Sequence, residues 1–165
     1  MRSGFIGFPN PVNEKAARVV AGGVALVALL TLVTGSLWLT VVLALGFLAR
    51  VLTGPRLSPL GQLATRVIAP RLGAPRLVPG PPKRFAQSIG LVLTTTAAVA
   101  GVALGATALA EALVAVLAAF AVLESVFGFC AGCWVFGRLM RIGVIPAATC
   151  ATCADIWSRR TAPAP

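Results

Sequence analysis

The chain has 165 residues, 58% of them hydrophobic and only 11% charged, yet its net charge is +10. A soluble domain carries about 25% charged residues, so this composition argues against a soluble globular enzyme, and a nucleic-acid binder could not stay in water with so much apolar sequence. With no histidine and no tyrosine, imidazole catalysis, histidine metal sites and phenolic acid–base chemistry are excluded.

No charge falls between Arg18 and Arg50, and between Arg84 and Arg138 only Glu111 and Glu124 do. Each stretch is longer than one membrane span of about 20 residues. Each also breaks near its middle, at Thr34-Gly35-Ser36 and at Gly105-Ala106-Thr107. The pattern predicts four helices, at 14–34, 36–53, 85–105 and 108–129, paired as two tight hairpins in a single all-α integral membrane domain over 1–165. Helices satisfy their own backbone groups, which hydrocarbon demands. Ala21-Gly22-Gly23 and Thr94-Thr95-Thr96 suit close helix–helix approach. A cleaved signal peptide is the competing reading of the first apolar run, but a second apolar segment follows at once.

The basic residues set the expected orientation. Arg2, Lys15 and Arg18 precede the first helix, seven more run from Arg50 to Arg84, and Arg138, Arg141, Arg159 and Arg160 follow the last helix. The two hairpin turns have none. By the positive-inside rule both termini and the middle segment are cytoplasmic, in a bacterial inner membrane.

The connector 54–84 is rich in Pro and Gly. Ser58-Pro59 reads as a helix start, a capping hydroxyl followed by proline at the first helical position. Leu60, Leu63, Val67 and Leu72 recur on roughly one face with Arg66 and Arg71 among them. Such a helix either lies in the interface on anionic headgroups or packs on the bundle. Residues 154–165, ending in Ala-Pro-Ala-Pro, read as a loose tail.

Val42-Leu43-Ala44 aligns with Val116-Leu117-Ala118, a faint repeat that would relate the two hairpins in parallel. The alignment sets Arg50 opposite Glu124 at similar depth. An intramembrane carboxylate is costly and takes a partner, so Glu124 is expected to be buried and either paired with Arg50 or protonated. Glu111, in the first turn of the fourth helix, reads as a helix-dipole residue.

All four cysteines fall in the last 36 residues, as Cys130-Ala-Gly-Cys133 and Cys150-Ala-Thr-Cys153, spaced C-x2-C-x16-C-x2-C. Two chemistries use such pairs. In the redox reading, which needs no cofactor, residues three apart share one face and lie close enough for a disulfide, and the attacking sulfur must be thiolate. Pro146 can open a short helix carrying Cys150 and Cys153 in its early turns. Cys130 gains a helix N-terminus only if the fourth helix breaks at Gly128, and Arg138 and Arg141 are near enough in sequence to stabilise a thiolate. On a continuous helix Glu124 would lie about 9 Å along and about 120° round from Cys130, a poor general base without a bend. In the metal reading, Cys130, Cys133, Cys150 and Cys153 hold a structural zinc ion, pinning Trp134 and Trp157 against the bundle. An iron–sulfur cluster would accept the same ligands. The spacers Ala-Gly and Ala-Thr lack the Pro and following Gly of tight zinc turns.

The run from Glu124 through Gly-Phe-Cys130-Ala-Gly-Cys133, then Gly143-Val-Ile-Pro146 and Cys150-Ala-Thr-Cys153-Ala-Asp155, resembles a small bacterial membrane family catalogued only as a domain of unknown function. The opening Asn10-Pro11-Val12-Asn13 is similar to that family too. The resemblance implies four membrane helices and a setting alongside thioredoxin-like and sulfurtransferase proteins. It makes Cys130 and Cys133 the leading site residues, with Cys150 and Cys153 as resolving partners or metal co-ligands. The expected function is thus a membrane thiol protein relaying electrons or sulfane sulfur to a cytosolic thioredoxin-like partner. The alternatives are a scaffold with a four-cysteine zinc site and a small transporter or channel with Glu124 and the Gly-rich helices along its path. An oligomer is compatible with each.

Overall fold

A computed structural model describes residues 7–150 and Cys153. The described chain is helical apart from one two-stranded pairing. Strand β1 (Val12–Asn13) leads into α1 (Glu14–Thr34), then α2 (Trp38–Thr53). The connector carries α3, which runs from Pro59–Leu63 through a π-turn at Ala64–Ile68 to Ala69–Arg71. Strand β2 (Leu77–Val78) precedes α4 (Gly80–Ala98, prolonged by a π-turn at Val99–Ala103). Helix α5 (Thr107–Val122, with a π-turn at Leu123–Phe127) and α6 (Ala131–Arg141) follow, and a 3-10 turn spans Ala147–Cys150.

Local chemistry explains where these helices start and stop. Asn13 caps α1 by accepting the Lys15 backbone N–H at 3.1 Å, and Gly35, at φ 66°, ends it. The turn through Ser36 and Leu37 delays α2 to Trp38, two residues later than expected. Helix α4 begins at Gly80 rather than 85, because Pro81 and Pro82 sit in its first turn, where a missing N–H costs nothing. That choice brings Lys83 into the helix. The far end of α5 stops at Phe127, not 129, because Gly128 turns left-handed at φ 71°.

Three helices are long and apolar enough to cross a membrane, Glu14–Thr34, Gly80–Ala103 and Thr107–Phe127. Helix α2 is apolar but has only 16 residues. The core side chains are largely small or β-branched, among them Ala28, Ala97, Ala110 and Val114, with Leu43, Phe47 and Leu117 as the larger members, a composition that suits close helix approach. Large apolar residues point outward instead, Val33 and Leu104 being 83% and 74% exposed. A surface so apolar suits hydrocarbon rather than water. The most extensive packing joins α1 to α5 and α2 to α4, rather than helices adjacent in the chain.

The connector docks on α1, where the Leu60 methyls lie close over Gly23, and Gly61, Ala64 and Ala69 are buried. Ser58 caps α3, its Oγ accepting Gly61 N–H at 3.2 Å. The expected apolar stripe divides: Leu60 packs against the core, while Leu63, Val67 and Leu72 face outward beside exposed Arg66 and Arg71. The strand pair, Val12 opposite Val78 and Asn13 opposite Leu77, was not expected. Glu14 reinforces it through Arg76 at 2.9 Å, and Asn10 accepts Gly80 N–H at 3.0 Å. These contacts fix the first turn of α4 against the start of α1. Glu111 is exposed and lies just past the first turn of α5.

Candidate functional site

The site lies where α5 ends and α6 begins. Gly128 N–H bonds back to Glu124 O at 3.1 Å and Phe129 N–H to Leu123 O at 3.3 Å, closing the helix. Arg18 of α1 clamps the last turn, donating to Ser125 O from Nε and Nη2 at 3.1 and 3.0 Å and to Val126 O at 2.7 Å. A guanidinium on terminal carbonyls meets both their hydrogen-bond need and the helix dipole. The chain then restarts, with Cys130 as the N-cap of α6 in extended conformation and its Sγ accepting Cys133 N–H at 3.4 Å. Cys130 thus gains the fresh helix N-terminus that a break at Gly128 was expected to provide.

Gly132 sets how close α6 comes to α4. A Cβ there would stand 2.6 Å from Ala86 Cβ and 2.7 Å from Ala86 Cα. Phe136 is buried one turn on, its ring edge-on to Phe85 with centroids 5.6 Å apart. The outer face of α6 carries Trp134, exposed, with Arg138 stacked 4.7 Å from its ring centre.

Sequence reasoning paired Glu124 with Arg50. The structure corrects this: Glu124 Oε1 is 2.6 Å from Lys83 Nζ, with both side chains mostly buried. The early start of α4 is the reason, since it turns Lys83 into the bundle. Arg50 instead donates from Nε to Gln87 Oε1 at 2.9 Å and from Nη1 to Ser58 Oγ at 3.3 Å, and lies 4.4 Å over the Phe47 ring. Lys83 was read only as one of the connector cations. The usable signal was Pro81-Pro82, which marks a helix start as readily as a connector.

The two thiols of the first pair are unequal. Cys130 sits below the ordinary thiol range, chiefly through the hydrogen bond from the Cys133 thiol. Burial and the Glu124 carboxylate oppose this, while the Lys83 ammonium and the Cys133 N–H assist it. Cys133 is pushed far up by the same hydrogen bond, by burial and by charge on Cys130. One sulfur is therefore poised as thiolate, and its neighbour holds the proton.

The second pair is oxidised. Cys150 and Cys153 form a disulfide with Cα atoms 5.2 Å apart. Cys150 closes the 3-10 turn that follows Pro146, with Thr149 N–H on Pro146 O at 2.9 Å. The two pairs meet. Cys130, Cys133 and Cys153 all line one cavity of about 490 Å³, with Lys83, Met140 and Arg141 also on its wall. The four-cysteine zinc or iron–sulfur arrangement is not assembled here, because two of the sulfurs are bonded to each other. Among the described residues no group of three or more Cys, Asp or Glu side chains is gathered for a metal. Trp157, Asp155 and the tail 154–165 lie outside the described residues.

The chain is a helical protein with three helices long and apolar enough to cross a membrane, and it carries a dithiol at a helix N-terminus on the same cavity wall as Cys153. By sequence the chain belongs to the family described as Domain of unknown function (DUF4395), whose model matches residues 12–141. The match contains Cys130 and Cys133 and stops before Cys150. No curated protein and no solved structure matches the chain.

Proposed function

We propose that this protein is a bacterial inner-membrane thiol–disulfide relay in which the Cys130–Cys133 dithiol and the Cys150–Cys153 disulfide exchange an electron pair. The observation that carries this reading is the single cavity on which Cys130, Cys133 and Cys153 open. Cys130 thiolate attacks Cys153 Sγ, the Cys150–Cys153 bond breaks, and Cys150 leaves as thiolate and takes up a proton. Cys133 then gives up its proton and attacks Cys130 Sγ, forming the Cys130–Cys133 disulfide and releasing Cys153 as thiolate. Two electrons pass from one pair to the other without a further oxidant. An external dithiol protein of thioredoxin type reduces the first pair again, and the second pair passes the electrons to a disulfide substrate. The same Cys130 thiolate can accept sulfane sulfur from a persulfide donor, which leaves as its thiolate.

The placement of charge supports a membrane setting with this site on the cytoplasmic face. Arg18 binds the last turn of α5, and Arg50, near the end of α2, binds Gln87 near the start of α4. The basic helix ends are thus gathered at one end of the bundle, and the charge-free turns at Gly35 and Gly105 lie at the opposite helix ends. Four helices cross in this reading. Helix α2 spans about 24 Å of a hydrocarbon core about 30 Å thick, a mismatch that local thinning absorbs.

Substituting Cys133→Ser tests the relay, because it permits the first attack and blocks resolution. Peptide mapping of the full chain is expected to show a Cys130–Cys153 cross-link. A Cys133→Ser chain that keeps only its Cys150–Cys153 bond, with Cys130 free, would refute the exchange.

A further inference from the structure

A second cavity, about 290 Å³, lies between the segment before α1, α1 itself, the end of α2 and the connector. Its walls are largely apolar, as at Ala17, Val20 and Leu77, but Arg50 projects onto it, with Lys83 and Gln87 beside. Arg50 is 5% exposed, and its Nη2 is buried without any hydrogen-bond partner. The partners that Nε and Nη1 do have, Gln87 and Ser58, are neutral.

The charge balance makes this orphan informative. Among the described carboxylates, Glu14 is held by Arg76 and Glu124 by Lys83, while Glu111 is exposed. Arg50 is therefore a buried guanidinium without a carboxylate counter-ion among the described residues. A buried donor left unpaired, and a buried charge left uncompensated, are both expensive. Guanidinium also cannot escape the cost by deprotonating as an amine can. A negatively charged acceptor seated in the cavity that Arg50 lines, with a small turn of the guanidinium to meet it, would answer both needs.

We propose that this cavity binds a tetrahedral oxyanion, one oxygen accepting from Arg50 Nη2 and the apolar walls accommodating any group the oxyanion carries. Phosphate-type oxygens make short charge-assisted bonds to arginine. The chemistry is shared by an anionic phospholipid headgroup and by a free inorganic oxyanion. Lys83 borders this cavity as well as the thiol cavity, so the two sites are neighbours. The proposal does not depend on the relay.

The test is thermal unfolding of the full chain, delipidated in neutral detergent at constant ionic strength. Inorganic phosphate is compared with chloride, and phosphatidylglycerol with phosphatidylcholine. A saturable rise in Tm with phosphate identifies a free oxyanion; a rise with phosphatidylglycerol alone identifies the headgroup. Arg50→Met is expected to abolish the rise. Ala17→Phe, which fills the cavity and leaves Arg50 in place, is expected to do the same and serves if Arg50→Met does not fold. No rise with either ligand, or an undiminished rise in the variants, would overturn the proposal.

Discussion

At Cys130 the decisive feature is an asymmetry between two thiols in one short motif. A thiol is inert until it loses its proton, so a lowered pKa moves reactivity to lower pH. Alkylation of Cys130 is expected to be half-maximal below the ordinary thiol value of about 8.5, with Cys133 unreactive through the same range; rate measurements with peptide mapping across the neutral range check this, and Cys133 reacting first would contradict it. The Lys83–Glu124 pair sits beside both thiols and tunes Cys130 in opposite senses. Lys83→Met removes a charge that favours the thiolate, and at neutral pH it should slow Cys130 alkylation several-fold. Glu124→Gln removes one that disfavours it and should speed the reaction; equal changes of the same sign would show that the pair acts only through folding. The motif itself was legible in the sequence, as was the chance of a helix start at Cys130, since Gly128 stands two residues before it. The partner of Glu124 was not. Residue spacing carries no record of which cation a proline-started helix turns inward, and Arg50 looked equally placed until Gln87 and Ser58 were seen to hold it.

Helix α6 owes its position to Gly132, which makes the cysteine helix an extension of the α4 surface. Gly132→Val would drive a side chain into Ala86, at a cost of about 1–3 kcal/mol for an overpacked contact. The expected result is a lower Tm together with a Cys130 pH profile returning toward that of a free thiol. Gly137, also in α6, faces open space, with nothing within 4 Å of where a Cβ would stand. Gly137→Ala, which places a methyl on the wall of the thiol cavity without meeting a neighbour, should therefore gain up to about 1 kcal/mol of helix propensity and raise Tm. A Tm lowered equally by both substitutions would contradict this role for the α4 contact. At this scale the apolar helices were readable because charge-free runs and central glycines survive any packing detail. Their ends were less so: Pro81 and Pro82 moved one start back to Gly80, and a π-turn with Gly128 shortened the last helix. The strand pair at Val12 and Val78 was beyond reach, since two residues show no alternation.

For the whole molecule, sparse charge is the organising fact. Three helices meet the length and apolarity of a span, and the most extensive contacts join α1 with α5 and α2 with α4. In the proposed orientation, with the basic ends inside, single cysteines placed at Ser36 and at Thr107 in a cysteine-free background should label only from outside the cell, and Cys153 only after permeabilisation; Cys153 labelled in intact cells would reverse the orientation and the choice of partner. The cavity bordered by Cys130, Cys133 and Cys153 arises where α6 packs on α4, a tertiary contact that the spacing C-x2-C-x16-C-x2-C does not record, which is why a metal site and a relay read alike in it. Differential alkylation and zinc analysis on one gently purified sample separate them most directly. A relay gives Cys130 alkylated at once without chelation, Cys133 slow beside it, Cys150 and Cys153 only after reduction, and no stoichiometric metal. Four cysteines protected until chelation, with one zinc per chain, would contradict it.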